Sequence, residues 1–299
     1  MKDRRGGNHT SYSAVVYTEH LRIPVDAGAL HVERQGRAGP AIVLLHGFGT
    51  CAFLWRAVAP VLASAGYTVV SVDLLGFGES DRPVDANYSL SAQADYLERA
   101  LTALRLGDVS VVGQDMGAVV ALLLAAQSPR RVRRLALLEP IAPDALPGPA
   151  VRSLQRTSAL SALSANSLFG ARPLLEPMLS AAVSNRERMP ELLVMRYLAP
   201  WIGSNGAAEL LQLASASSLV HDGERGDTDW SAVAGDVLLW CGGDTPPRSS
   251  DEAVARTSAW RHQLPAARIR PLVTSRPPGL LVAEDTPAEL AAALLAWHA

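Results

Sequence analysis

Short aliphatic and β-branched runs alternate with longer stretches rich in Ala and Leu along most of this 299-residue chain, and that rhythm limits the folds open to it. AIVLLH (41–46) is a continuous apolar run, as a strand buried on both faces requires, and TVVSVDLL (68–75) reads as the next buried strand. VSVVGQ (109–114), VRRLALLE (132–139), DVLLWC (236–241) and ARIRPLV (267–273) read as further strands, and HLRIPV (20–25) with ALHVERQG (29–36) as a hairpin of alternating strands. Between them, CAFLWRAVAPVLASAG (51–66) reads as a helix ending at Gly66, and SLSAQADYLERALTAL (89–104) as a helix capped by Ser89 or Ser91. GAVVALLLAAQSP (117–129) is a helix halted by Pro129, and helices are also expected around Ser250–Ala259 and over TPAELAAALLAWHA (286–299). Strand–helix alternation of this kind predicts an α/β fold with a mostly parallel, eight-stranded sheet flanked by helices. The rhythm stops between the sixth and seventh strands, where the chain turns helical and rich in Ala, Leu and Ser. The expected organisation is a flexible tail over 1–15, a core over 16–143 and 230–299, and an inserted helical cap over 144–229.

The net charge is −2 with acids and bases interspersed, so no nucleic-acid stripe or polybasic membrane patch is expected. The polar start MKDRRGGNHTS has no apolar run behind it that would make a secretory signal, and no segment has the length of a membrane span. Cys51 and Cys241 are too few for a disulfide scaffold and lack metal spacing. The reading is a cytoplasmic protein without metal or cofactor, whose partner is an apolar small molecule; a homodimer is left open.

In a parallel sheet, ligands bind beyond the carboxyl ends of the strands. VVGQDMGAVV puts Asp115 at such an end, between Gly113 and Gly117, which leave room for a sharp strand-to-helix turn. This is the G-x-S-x-G elbow with Asp in place of Ser, and the helix after it aims backbone N–H groups at an anion. The bland alternative is a βα loop whose Asp caps a helix.

LLHGFGTCAFLWR after the third strand, DLLGFGESDRP after the fourth and VVGQDMGAVV after the fifth together resemble the α/β-hydrolase superfamily. Within it the likeness is to the branch with an Asp nucleophile, the haloalkane dehalogenases and epoxide hydrolases. It covers residues 20–140 and 230–299, and the cap only in being helical. The resemblance implies that Phe48 and Met116 supply two oxyanion N–H groups, that His46 is structural, and that Asp73, Ser80 and Asp81 shape a loop. It further implies that the carboxylate attacks an electrophilic carbon to form an ester and that a histidine, oriented by a second acid, activates water to hydrolyse it. Two acids are candidates, Glu139 at the end of LALLE and Asp244 in LLWCGGDT.

The histidine is not where the resemblance puts it. The family stretch G-H-F-x-x-E-D-x-P is matched here by PPGLLVAEDTP, in which Gly279, Glu284, Asp285 and Pro287 agree and Leu280 stands in the histidine's place. His221 and, second, His262 are the candidates for a displaced base. His298 is expected to be solvated or to favour the helix dipole, and His9, His20 and His31 to have surface roles. The halide-binding positions of dehalogenases are Phe48 and Met116 here, and Tyr197 is the one cap tyrosine that could activate an epoxide. Trp201, one helical turn on, is expected to share its surface. The expected lining of the cleft is His46, Phe48, Trp55, Met116, Tyr197, Trp201 and Leu280.

Three functions remain at this point. In the first, Asp115 is a general acid or base in a non-hydrolytic step such as cyclisation, isomerisation, elimination or intramolecular epoxide opening, on a secondary metabolite. The second is a true epoxide hydrolase with a displaced base. The third is a catalytically dead fold kept for binding.

Overall fold

The computed structural model describes residues 16–141, 148–156, 170–203, 205–217, 230–241, 257–258, 260–272, 274–275 and 278–299. Eight strands form one sheet: β1 Thr18–Val25, β2 Gly28–Gln35, β3 Ala41–Leu45, β4 Thr68–Val72, β5 Val109–Gln114, β6 Val132–Leu138, β7 Gly235–Trp240 and β8 Ala267–Pro271. Their spatial order is β1-β2-β4-β3-β5-β6-β7-β8. The β1–β2 and β2–β4 pairs are antiparallel and all others parallel. Every residue of β3, β4 and β5 is buried, which is why those runs lack alternation.

Flanking the sheet are α1 Ala59–Ser64, α2 Leu90–Ala103 and α3 Met116–Gln127. Ser89 caps α2, its hydroxyl accepting from the Ala92 N–H at 3.2 Å. All of Met116 to Ala125 is buried, so α3 shows no polar face and lies at the centre of the core. The expected single helix over 51–66 is corrected: a 3-10 turn at Ala52–Trp55 precedes the short α1. Pro60 explains the break, because it has no N–H to donate and so fits only a first helical turn.

Between β6 and β7 the described residues hold helices and no strand: α4 Pro149–Gln155, α5 Arg172–Ala181, α6 Glu191–Leu198 and α7 Gly206–Ala216, with 3-10 turns at Arg186–Arg188 and Ala199–Trp201. Two short connections matter later. α8, Val282–Asp285, follows the loop that carries Leu280, and α9, Pro287–His298, closes the chain. Among the described residues no helix is long and apolar enough to cross a membrane.

The loop after β4 folds over the first hairpin. Buried Asp73 accepts hydrogen bonds from the Ala52 N–H (2.6 Å), the Glu79 N–H (2.9 Å) and His31 Nδ1 (2.8 Å). The Ser80 hydroxyl donates to the Asp73 carbonyl at 2.6 Å, and Asp81 takes the Ala29 N–H at 2.8 Å while pairing with Arg22. The surface role expected of His31 is therefore corrected: only 4% of it is exposed, because that loop covers it. Of the two expectations for His298 the helix-end role fits: it bonds the Leu294 carbonyl in the last turn and packs against Tyr67 and Trp297.

Candidate active site

The elbow is the most constrained point of the chain. Asp115 has φ 54° and ψ −121°, a region that residues with a side chain rarely enter. Such a conformation costs on the order of 1–3 kcal/mol and persists only where its surroundings enforce it. They do so here backbone against backbone. A side chain at Gly113 would run into the Gly117 carbonyl, and one at Gly117 into the carbonyls of Leu45 and His46. The ends of β3 and β5 and the start of α3 can therefore meet closely enough to hold the Asp115 side chain above them.

The carboxyl receives the Phe48 N–H on Oδ2 at 3.0 Å, and the Met116 N–H also donates to it. Burial is the largest influence on its proton affinity and raises its pKa from 3.8 to about 6. The two N–H donors oppose that rise and the nearby charge of Glu139 adds to it. Asp115 still keeps part of its surface open. Gly148, at the start of α4, stands over the other oxygen: a methyl group there would lie 3.9 Å from Oδ1 and 2.8 Å from Ile141 Cδ1. Sequence reasoning missed Gly148 and Ile141; the glycine before a helix-starting Pro149 was the available signal.

Glu139, directly after β6, has φ 47°, is buried, and donates its N–H to the Trp240 carbonyl at 2.9 Å. It is the candidate acid that the fold brings to Asp115; Asp244 and His221 lie outside the described residues. His46 is held by backbone on both nitrogens, with Nε2 accepting the Leu74 N–H at 3.0 Å and Nδ1 2.8 Å from the Gly47 carbonyl. That pattern assigns the proton to Nδ1, and burial keeps the ring neutral by holding its pKa below the ordinary value. His46 and Trp55, expected to line a cleft, expose no surface at all, because each is enclosed in the core. Phe48 and Met116 are buried at the elbow itself.

Tyr197 and Trp201 do not share a surface as helical spacing suggested. The Tyr197 hydroxyl donates to Glu284 and its ring meets Phe53 edge-on at 5.8 Å. Trp201 instead packs on Phe77 at 6.1 Å and under the Arg82 guanidinium at 4.6 Å. Its link to the elbow is indirect, through Phe77 and the Phe48 ring 5.5 Å beyond it.

The loop carrying Leu280 is fastened to the helical segment. Asp285 accepts the N–H groups of Gly279 (2.6 Å) and Ser184 (2.9 Å) and the Ser184 hydroxyl (2.9 Å), while the Leu281 N–H bonds the Ala182 carbonyl at 2.9 Å. Next to it, Glu284 takes a two-pronged bond from Arg56 at 2.6 and 2.7 Å together with the Tyr197 hydroxyl. The ordered acid pair E-D thus serves packing here. His262 is exposed, and among the described residues no histidine contacts or perturbs the Asp115 carboxyl.

A family model described as alpha/beta hydrolase fold matches residues 40–159. A haloalkane dehalogenase of Mycobacterium marinum is 36% identical over 134 residues, which are 44% of this chain and 43% of that enzyme. The match thus spans under half of that relative's length. Over nearly the whole chain the likeness is structural. Cfl2 of Burkholderia cenocepacia superposes with a TM-score of 0.74 at 26% identity, covering 93% of this chain and 95% of its own. The epoxide hydrolase CorEH superposes with a TM-score of 0.71 at 20% identity, covering 94% and 98%. The sheet order, the strained elbow after β5 and these likenesses agree: the chain has the α/β-hydrolase fold, and haloalkane dehalogenases are among its relatives in sequence.

Proposed function

We propose that the protein is an enzyme acting on an apolar small molecule beneath a helical cap, with Asp115 as the proton-transferring group of a step without net hydrolysis. The observation that carries this reading is the Asp115 carboxyl, poised near pH 6 and held by the Phe48 N–H, with Leu280 where the resemblance puts the water-activating histidine. Leucine cannot move a proton, and losing general-base assistance costs a hydrolytic half-reaction about 10²–10⁴-fold. A carboxyl that titrates near neutrality can instead take a proton from one atom of a substrate and return it to another. For an epoxide bearing its own hydroxyl, the carboxylate takes the hydroxyl proton as that oxygen bonds an epoxide carbon. The epoxide C–O bond breaks, and its oxygen receives the proton back. Nothing is consumed and no water enters.

The test uses a long-chain 4,5-epoxy alcohol in H₂¹⁸O. The expected product is the isomeric cyclic ether without ¹⁸O; an ¹⁸O-labelled triol would overturn the reading. The starting form must be the ionised carboxylate, so turnover is expected to rise with pH through about 6 and level off above it. A rate that falls above that point would assign the opposite protonation state.

Leu280→His should let water in as the second reactant. A triol fraction should then appear that the wild type lacks, with a rise of at least about 10²-fold in ¹⁸O incorporation. A folded variant that makes none would show that position 280 does not face the substrate beside Asp115.

A further inference from the structure

The first hairpin carries a cluster of side chains that the chemistry at Asp115 does not use. The register of β1 on β2 pairs His20 with Glu33 and Arg22 with His31, so that His20, His31 and Glu33 all project from the same face of the sheet. One ligand atom from each lies within 4.8 Å of the other two. His20 Nδ1 and His31 Nε2 are 3.1 Å apart, with the two rings stacked 5.3 Å between centroids. Two imidazole nitrogens on one tetrahedral zinc ion, each about 2.0–2.1 Å from it, sit roughly 3.3 Å apart. The hairpin therefore already holds the two nitrogens near the separation that an ion imposes.

The second feature is the support behind His31. Its other nitrogen, Nδ1, lies 2.8 Å from buried Asp73, which is itself fixed by the N–H groups of Ala52 and Glu79. A carboxylate behind a histidine in this way sets the tautomer and turns the free nitrogen's lone pair outward, as it does behind metal-bound histidines. Arg22 is occupied by Asp81 and by the Glu79 carbonyl, and the Glu79 carboxylate, shared with Arg196 at 3.6 Å, lies 3.8 Å from His31 Nε2. The local charge thus suits a divalent ion.

We propose that His20, His31 and Glu33 form a binding site for a divalent transition-metal ion of the zinc class, with Asp73 orienting His31. Two nitrogens and one carboxylate leave a fourth position for water. The set matches zinc, copper or nickel and not magnesium or calcium, which prefer oxygen. The ion would staple β1 to β2 at the free edge of the sheet, and the proposal does not depend on what Asp115 does.

The test is a titration of the full chain, stripped of metal and free of any histidine tag, with ZnCl₂ against a chromophoric chelator. One equivalent should bind. His20→Ala and Glu33→Gln, both outside the core, should each weaken that equivalent at least tenfold while keeping the unfolding temperature of the metal-free protein. Magnesium should not compete. Zinc binding that is absent in the wild type, or unchanged in both variants, would overturn the proposal and leave two imidazoles sharing a proton.

Discussion

Asp115→Asn protein should turn over the epoxy alcohol about 10²–10⁴-fold more slowly than wild type and should nevertheless be the more stable protein at pH 8. Both effects follow from the same environment. Asn keeps the shape of the side chain and tolerates positive φ, so the elbow survives, but it cannot carry or exchange a proton. The stability gain follows from proton linkage. Because the folded-state pKa, about 6, lies above the unfolded value near 3.8, the folded protein holds its proton more tightly between those values. Stability therefore falls as the pH rises from about 4 to about 6, stays lower above that, and is recovered as the pH is lowered toward 4. At about 1.4 kcal/mol per pKa unit the full cost approaches roughly 3 kcal/mol. Discounting for the part of Asp115 that is open leaves roughly 1–2 kcal/mol, or on the order of 2–3 °C in unfolding temperature. Thermal unfolding at pH 8 and pH 4 checks this: the gain should be present in full at the first and mostly gone at the second. Equal shifts at both, or full turnover by the variant, would remove Asp115 from the role given to it.

Glu284→Ala should lower stability by about 3 kcal/mol or more. The mechanism is stranding. Removing the carboxylate leaves the buried Tyr197 hydroxyl and the half-buried Arg56 guanidinium without the acceptor they share. By contrast Glu19→Ala, which removes the ion pair to Arg34 on the outer strand, should cost about 0–1 kcal/mol, because water screens that pair and solvates what remains. Guanidinium unfolding of the two variants gives the comparison directly. If Glu284→Ala proved no more costly than Glu19→Ala, the bond network around Tyr197 would have no energetic weight.

The strands could be read from sequence because a run such as AIVLL has one structural solution when it is apolar on every residue. The elbow could be read because two glycines and one acid at fixed spacing meet a steric demand that the fold then confirms. Contacts between distant segments could not. His31 looked superficial from its hairpin, and only a loop some fifty residues later buries it, through the Ser80 hydroxyl on its N–H. Tyr197 and Trp201 looked like neighbours on one helical face. The chain changes from α to 3-10 winding at Ala199–Trp201, around Pro200, and the change of pitch sends the two rings to different partners. Leu280 was legible by motif alone, since its significance lies in the residue type.

The pairing of Asp285 with Ser184 and Gly279 has a mechanical corollary. The Ser184 N–H and hydroxyl both donate to the buried Asp285 carboxylate, so the chain just after α5 is fastened to α8 at this point. Gly148 stands directly over Asp115, so bulk placed there, rather than at Ser184, would crowd whatever reaches that carboxyl.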